Sequence, residues 1–460
     1  MIRRLINKIL GRQAPSPHAA PRVLPLEEHG IRREQLSSCV LRVTRGLREA
    51  GFDAFVVGGA VRDLLLGRPP KDFDVATNAT PEEIRRVFRR SRVIGRRFQI
   101  VHVYCGPDVI EVTTFRASTP GPEAADGDEG DATRTIADDG MILRDNVFGS
   151  QAEDAARRDF TANALYYQPD RQEIWDWHGG VADARARVLR MIGNPAQRFR
   201  EDPVRMLRAA RLAAKLDFHI APTTRGPIAE LAPMLARIPS ARLFDEMMKL
   251  LLSGHAERGV RQLRAEGLHH GVLPMLDAIL DDPTRQPFLH AALHDTDERV
   301  RQGHSTSPAF TLACLLWFDY QAELATNLAA GMHEQPARSG AMDTTLERQR
   351  KALAFPRRFD GQIKEIWALQ SRFPQRGGGR PYRLLGHPRF RAGYDFLRIR
   401  AQGGDAEQEL ADWWTRFQDA GEAERAGMLI APVTGETRRK RRRRTRHRPE
   451  GGETAEVTLG

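Results

Sequence analysis

The sequence predicts an α+β protein in which a head built on a mixed β-sheet precedes an all-helical body and a basic tail. Short strand-like runs bounded by glycine and proline turns occupy the chain up to Trp177. From Val181 onward, apolar residues recur at helical spacing. Residues 438–448 hold nine lysines or arginines and no acid. At 460 residues the chain exceeds one hydrophobic core, so several domains are expected.

The predicted domain boundaries follow these changes of pattern. Prolines within the first 30 residues indicate an extended, mobile N-terminal segment. The polar stretch 334–350 is predicted to be a loop or linker. The basic, aromatic-containing segment 356–402 is compatible with nucleic-acid binding or with an ordinary core. The predicted segments are 1–30 (mobile), 31–180 (head), 181–270 (helical neck), 271–430 (helical body) and 431–460 (disordered tail).

Composition excludes a membrane protein and indicates a polyanionic partner. No run approaches the roughly 18 apolar residues of a membrane span. Cys39, Cys105 and Cys314 are odd in number and far apart, which indicates reduced thiols, a cytoplasmic location and no thiolate metal site. Residues 438–448 of the tail alone carry nine positive charges against a formal net charge of +11 for the whole chain, which is typical of a segment that binds nucleic-acid phosphates. The tail residues expected to bind are Arg438, Arg439, Lys440, Arg441, Arg442, Arg443 and Arg444.

The chain is organised around a glycine turn followed by two aspartates. Residues 54–57 form a predicted strand, Gly58-Gly59 a tight turn and 60–66 a helix. Asp72 and Asp74 lie in a second predicted strand, 72–77, and alternation along a strand places both on one face. Two carboxylates beside a glycine turn are what two divalent ions need to hold a transferring phosphoryl group.

Further polar residues are ambiguous from pattern alone. Glu111 is a lone acid in an apolar, threonine-rich strand, and a metal site or a solvated edge explains it equally well. Arg205, Arg208 and Arg211 share a helix face, for which a solvated surface is the better explanation. The pair His294-Asp295 lacks the other residues of a metal phosphohydrolase and is interpreted as surface.

Five motifs, in this order along the chain, resemble those of the tRNA nucleotidyltransferase and bacterial poly(A) polymerase family, within the polymerase-β-like nucleotidyltransferase superfamily. Gly-Gly-x-x-Arg-Asp and Asp-Phe-Asp are the most specific of them. The resemblance covers roughly residues 30–330. Ala162 departs from the Ile or Val common in the family, which affects packing more than chemistry. The motifs occupy 57–63, 71–74, 111–116, 157–164 and 200–209.

The resemblance implies a two-metal mechanism and assigns roles to individual residues. Asp72 and Asp74 hold two Mg²⁺ ions, for which Mn²⁺ can substitute, and Glu111 or Asp159 completes the acidic set. The implied substrates are ATP and RNA 3′ ends, without a template; RNA-decay proteins are further partners to consider, and the oligomeric state is open. The implied nucleotide-binding residues are Gly58, Gly59, Arg62, Arg158, Asn163, Glu201, Asp202, Arg205 and Arg208.

Two alternatives remain beside adenylyl transfer to RNA. A CCA-adding enzyme usually has a Gly-Thr step before the strand that precedes the motif at 111–116, whereas this chain reads Gly95-Arg96 there and resembles the poly(A) polymerase branch. A catalytically silent RNA-binding paralogue is the alternative of another class. Retention of both Asp72 and Asp74 argues against it, because a silent copy need not keep two neighbouring acids.

Deleting residues 437–460 should weaken RNA binding and make it less sensitive to salt. Each neutralised phosphate of a single strand contributes about −0.7 to the slope of log affinity against log salt, so about half the tail charges correspond to roughly 3 units. RNA affinity across a salt series, compared with the full chain, measures this. The saturated rate on a short oligonucleotide should change little, and an unchanged salt slope would make the tail a solubility device.

Overall fold

The computed structural model describes residues 20–95, 99–117, 147–269 and 282–430, and the backbone alone of 135–136 and 142–144. Eight strands of this part form one mixed sheet in the order β1-β10-β9-β2-β3-β6-β5-β4. Two-stranded pairs are β7 with β8 and β11 with β12. The strands are β1 Arg22–Leu24, β2 Ala54–Val57, β3 Asp74–Thr77, β4 Ser91–Ile94, β5 Ile100–Cys105, β6 Asp108–Thr114, β7 Thr135–Ile136, β8 Ile142–Arg144, β9 Leu165–Gln168, β10 Glu173–Asp176, β11 Val188–Leu189 and β12 His219–Ile220.

Helices flank the sheet and then continue alone, which confirms the predicted fold class. In the head they are α1 Leu26–His29, α2 Ser38–Glu49, α3 Gly59–Leu65, α4 Pro81–Val87, α5 Gln151–Arg157 and α6 Gly180–Arg185. The following helices are α7 Pro195–Glu201, α8 Val204–Leu216, α9 Pro222–Arg225, α10 Ile228–Leu231, α11 Ser240–Leu251, α12 Ala256–Ala265, α13 Gln286–Arg301, α14 Pro308–Leu315, α15 Trp317–Ala329, α16 Glu334–Leu353, α17 Asp360–Gln370, α18 Arg380–Leu385, α19 Phe390–Gln402, α20 Gln408–Asp419 and α21 Glu422–Met428.

The two faces of the sheet carry apolar layers of different size, a thick one and a thin one. Val56, Val75 and Val112 point to the face covered by α2, α3 and α4, where most of the head's apolar side chains are buried. The opposite face carries a smaller cluster that includes Phe55, Ala76 and the neighbouring α5 residue Ala155. Because side chains alternate along a strand, Asp74 shares this thinner face with Ala76. The polar groups of β3 therefore emerge where little apolar packing covers them.

Local sequence signals account for the bounds of several elements of the head. Thr80 caps α4 in a capping box with Glu83, and Pro81 occupies the first turn. Gly106-Pro107 forms the turn of a hairpin between β5 and β6, which pair in antiparallel register. Asp72 lies just before β3 rather than inside it, since the strand begins at Asp74.

Two predictions about irregular segments are wrong. Residues 22–24, within the N-terminal segment that was predicted to be mobile, form an edge strand paired with β10. Residues 334–350 lie in the twenty-residue helix α16 instead of a linker. Small and medium-sized side chains at Ala337, Ala341 and Leu346 are buried there, among the helical core and its neighbours. Because two of these residues are alanines, the buried face does not show large apolar residues at helical spacing. The helix is therefore evident from tertiary packing and not from the sequence pattern.

The aromatic residues of 356–402 are mainly structural. Trp367, Phe373 and Phe396 are fully buried, and Trp367 stacks on Tyr320 with ring centroids 4.7 Å apart. The ordinary-core explanation therefore accounts for them. The basic tail and Arg96 lie outside the described residues.

The expectation of three reduced cysteines is wrong for two of them. Cys39 of α2 and Cys105 of β5 form a disulfide, with Cα atoms 5.8 Å apart, whereas Cys314 is free and buried. Cys39 and Cys105 are 66 residues apart in sequence, but the packing of α2 on the sheet brings them together in space. The inference of compartment from reduced thiols is therefore unsupported. Within the described residues, no helix is long and apolar enough to cross a membrane.

Candidate active site

The candidate active site begins with a row of polar side chains across three neighbouring strands. Asp74 of β3 is the register partner of Glu111 in β6, and Glu111 is that of His102 in β5. His102 Nε2 lies 3.4 Å from Glu111 Oε1. Partner residues on adjacent strands project from the same face, so the sheet places both acids beside each other.

Asp74 experiences an excess of negative charge. Burial, followed by the charges of Glu111 and Asp72, raises the pKa of Asp74 to about 6, although Arg158 acts in the opposite direction. A cation held between these acids would remove the repulsion, which is the chemistry expected of a divalent-metal site. Mg²⁺ commonly uses one or two carboxylates and completes its shell with water and substrate phosphates.

The protein by itself provides an open rather than a closed ligand set. The described part of the chain contains no group of three or more histidine, cysteine or acidic side chains arranged to hold a metal. Asp72 is exposed on the segment before β3, and half of the Glu111 side chain is accessible. Such exposed carboxylates suit a metal whose remaining ligands come from the substrate.

Asp159 has a different environment from the acids of the sheet. Its Oδ2 accepts hydrogen bonds from Arg208 Nε and Nη2 at 3.0 and 2.6 Å. Its Oδ1 accepts from the Phe160 amide and from Asn163 Nδ2. Burial alone would raise the pKa of Asp159, but Arg208 and the other donors lower it to about 2. Its four hydrogen bonds leave this carboxylate little capacity for a metal.

The glycine turn, Arg62 and Asn163 form one hydrogen-bonded unit. Gly58 has a φ of 72°, and a Cβ on it would lie 3.4 Å from Arg158 Nη1. Arg62, only 4% exposed, donates to Asp63 and to Asn163 Oδ1. Because Asn163 also donates to Asp159, the turn after β2 is tied to the segment after α5.

Arg158 is held in place against the thin face of the sheet. Its guanidinium donates to Tyr166 Oη at 2.9 Å and to Asp154 Oδ2 at 3.1 Å. Tyr166 in turn donates to Asp154 at 2.6 Å. The head therefore presents this cation beside Asp74 with its orientation already fixed.

The second wall of the site comes from helices α8 and α11. Together with the head they enclose a cleft of about 510 Å³. Seven cationic and four acidic side chains line it, so the cleft suits a polyanion. The lining residues are Gly58, Gly59, Arg62, Asp74, Arg158, Asp159, Asn163, Asp202, Arg205, Arg208, Arg211, Leu212, Lys215, Arg242 and Glu246.

The structure brings ten of the thirteen residues predicted outside the tail into this lining. Asp72, Glu111 and Glu201 are the exceptions. Glu201 points to Arg198 and Arg205, at 2.8 and 3.1 Å, and so supports the wall instead of facing the cleft. Arg205 also donates to the carbonyl of Arg198.

The solvated-surface explanation of the arginine stripe on α8 is wrong. Arg208 and Arg211 both pair with Glu246 of α11, and the Arg211 side chain is only 14% exposed. Glu246 is buried, which would raise its pKa, but Arg211 and Arg208 lower it. Sequence spacing located the stripe, but it could not show that a buried acid faces it.

Sequence reasoning also missed Arg242, Lys215, Asp154 and Tyr166. Arg242 Nη2 donates to Asp202 Oδ2 at 2.6 Å from a helix forty residues away in the chain. Tyr166 lies just after the motif at 157–164, in strand β9. No local signal identifies such partners, because each acquires its role from a contact between distant segments.

Three family descriptions match successive parts of the chain. "Poly A polymerase head domain" matches residues 54–190. "Probable RNA and SrmB- binding site of polymerase A" matches residues 217–280. "Polymerase A arginine-rich C-terminus" matches residues 330–448. These matches occupy the head, the helical region after it and the basic end in the order that the sequence predicted.

Individual relatives separate the two branches left open above. Poly(A) polymerase I of Salmonella typhimurium is 43% identical over 439 residues, which cover 94% of this chain and 93% of that protein. The CCA-adding enzyme of Geobacillus stearothermophilus is 39% identical over 229 residues, half of this chain. A crystal structure of the Bacillus stearothermophilus CCA-adding enzyme with CTP has 28% identity and a TM-score of 0.55, and the match covers 82% of this chain and 80% of that one. The full-length similarity is to the poly(A) polymerase.

Replacing Asp74 by Asn should stabilise the metal-free protein at neutral pH. Folding raises the pKa of Asp74 from about 4 to about 6. The protonated carboxyl therefore favours the folded state, fully below pH 4, and this contribution to stability is lost as the pH rises through about 6. The variant should therefore gain about 1–3 kcal/mol over wild type above pH 6 and little below pH 4. Thermal unfolding in EDTA across this range measures the difference.

Magnesium supplies the control for this stability experiment. Adding Mg²⁺ at pH 7 should stabilise the wild type and have a smaller effect on Asp74→Asn, because the variant has lost one ligand charge. The same gain in both proteins would place the metal elsewhere.

Proposed function

The chain belongs to the poly(A) polymerase family, and from this premise we propose that it extends RNA 3′ ends with AMP from ATP. It is a nucleotidyltransferase that works without a nucleic-acid template. The single observation that carries this function is similarity to poly(A) polymerase I over almost the whole length of both chains. The cleft supports it, since Asp74 and an array of fixed arginines face the same space.

The family implies a divalent metal, and the acids on the sheet match one. Asp72 and Asp74, with Glu111 as the third acid, would hold two Mg²⁺ ions, or Mn²⁺ in their place. Glu111 is preferred to Asp159 because it lies in register with Asp74, whereas Asp159 is saturated with hydrogen bonds. When bound, the two ions supply activation of the RNA 3′-hydroxyl and neutralise charge on the triphosphate.

The protein residues bind and orient the nucleotide. Gly58 and Gly59 let the triphosphate approach the backbone, and Arg62 and Arg158 compensate its charge. Asp159 acts indirectly in this proposal, by holding Arg208 and Asn163 in position. Since these groups are fixed by their own partners, little side-chain order is lost when ATP binds.

Asp202 and Arg205 are the proposed base-reading pair. A carboxylate accepts from the amino group of adenine, and a guanidinium donates to the adjacent ring nitrogen. Cytosine offers the same donor and acceptor order, so hydrogen bonding alone does not select ATP. Selection then depends on where the pair is held. Arg242 holds Asp202 in position, and Glu201 holds Arg205, so these two contacts would set the position of the pair relative to the base.

This proposal assigns a role to each predicted domain. The head at 31–180 carries the chemistry, the neck at 181–270 reads the base, and the body at 271–430 with the tail retains RNA. ATP and RNA 3′ ends are the proposed partners.

Incubation with an RNA ending in A, and ATP or CTP supplied separately, tests the function. ATP should give a long ladder of products. Asp72→Asn or Asp74→Asn should lower the rate at least about 10²-fold, because a lost electrostatic group usually has that effect, while RNA binding remains. Addition that stops at a fixed trinucleotide on tRNA would identify a CCA-adding enzyme, and no incorporation by wild type would identify a silent RNA-binding protein.

Arg242→Ala should reduce the preference for ATP over CTP. Loss of its hydrogen bond frees Asp202 to move, so the ratio of kcat/KM values for the two nucleotides should fall about tenfold, equivalent to about 1.4 kcal/mol. Arg258→Ala, which removes a surface pair with Asp217, is the matched control. An equal loss of rate with both nucleotides would make Arg242 a general structural residue.

A further inference from the structure

A second polar cleft lies in the helical body, apart from the catalytic residues. It forms between α13 and α19 and consists of a cavity of about 190 Å³ that continues into a wider opening. Asp295, Arg299, Ser305 and Arg391 line both parts. None of these residues lines the catalytic cleft. His294 is exposed as predicted for a surface pair, but its neighbour Asp295 is half-buried in this wall.

The interior of the second cleft contains carboxylate oxygens without donors. Asp395 is only 7% exposed, and its Oδ2 pairs with Arg391 Nε at 3.0 Å and Arg299 Nη1 at 3.7 Å. Asp395 Oδ1 and Asp295 Oδ2 are buried with no hydrogen-bond partner in the described part of the chain. Leaving a buried acceptor without a hydrogen bond destabilises the structure, so a ligand with N–H groups would satisfy both oxygens.

The mouth of the second cleft carries cations. Arg299, Arg391 and Arg398 line it, and Arg398 forms no ion pair with any acid among residues 20–430 that the structure describes. Arg391 and Arg398 are seven residues apart on α19, so they lie about 10 Å apart along one face. Guanidinium groups at this spacing suit successive phosphates better than a single small anion.

These two sets of groups together define the ligand. A polyamine would satisfy the carboxylates but be repelled by the arginines, and inorganic phosphate would leave the carboxylates unsatisfied. A nucleotide with an exocyclic amino group has both the donor and the anion, and Phe310 in the wall offers an apolar contact. We propose that this cleft binds one adenosine unit of an RNA strand, with its base amino group on Asp295 and Asp395 and its flanking phosphates on Arg391 and Arg398.

The experiment measures binding alone. The full-length double variant Arg391→Gln/Arg398→Gln is compared with wild type for a labelled decaadenylate, by fluorescence anisotropy in EDTA without ATP. Affinity should fall about tenfold, since two charge-assisted contacts are lost, and the salt slope should flatten by about 1.4, because each phosphate contributes about 0.7. Arg348→Gln/Arg416→Gln, two exposed arginines of the same body outside the cleft, is the matched control.

The base is tested with Asp295→Asn. Wild type should bind decaadenylate more tightly than decauridylate, whose base lacks an exocyclic amine, and the variant should lose at least threefold of that preference. Equal affinities in the arginine and control variants would overturn the proposal, and so would an unchanged base preference. Free AMP is a separate arm: arginine-sensitive binding of AMP with unaltered binding of the oligonucleotide would overturn the strand assignment in favour of a mononucleotide site.

Catalysis is absent from this assay, so its failure is distinguishable from failure of the proposed function. A chain that incorporates ATP normally but shows no effect of the cleft variants would lack only the second site. A chain that incorporates nothing but loses decaadenylate affinity through Arg391 and Arg398 would still contain it.

Discussion

The ion pair between Asp159 and Arg208 is the interaction on which the catalytic cleft depends. Asp159 follows α5 in the head, and Arg208 lies on α8, so the pair joins the two walls at 2.6 Å. The Asp159 carboxylate is about nine-tenths buried, whereas a third of the Arg208 side chain is exposed to the cleft. Removing Arg208 would therefore leave Asp159 as a buried charge without its strongest donors, which destabilises a protein. The geometry of the cleft is therefore coupled to the docking of the head on the helices.

A chain of polar contacts extends from this pair in both directions. Toward the head, Asp159 holds Asn163, which accepts from Arg62 beside the glycine turn. Toward the helices, Arg208 approaches Glu246, which also pairs with Arg211 and Lys249. Many positive charges can thus face one cleft because acids behind them offset their mutual repulsion. Only the remaining positive potential is available to a polyanionic substrate.

The two clefts combine acids and arginines in different proportions. In the candidate active-site cleft most acids are satisfied by arginines, and the pKa of Asp74 is raised because the group is buried and its neighbours are acids. In the second cleft Asp395 is paired through one oxygen only. The Asp74 carboxylate in the first cleft would be satisfied by a cation, and the Asp395 carboxylate in the second cleft by N–H donors. Both clefts also contain arginines, as expected for ligands that carry phosphates.

Local sequence patterns were sufficient to predict the fold class and most of the residues that line the candidate cleft. Gly58-Gly59, Asp74 and the Asp202-Arg205 spacing are local patterns whose geometry follows from strand alternation, turn conformation and helical period. Helix α16 was not predictable, because its buried alanines acquire meaning only against α15. The disulfide between Cys39 and Cys105 was not predictable either, because the two cysteines meet only after the chain has packed.

Which charges meet depends on contacts between distant segments of the chain. Glu111 and Asp159 were alternatives for the third acid; in the structure Glu111 lies in register with Asp74, whereas Asp159 accepts four hydrogen bonds. Sequence reasoning also interpreted Arg211 as solvated and overlooked Arg242, since their acidic partners, Glu246 and Asp202, are more than thirty residues away in the chain. Local patterns fix which face a side chain occupies, whereas electrostatic energy depends on distances that only the packed chain defines.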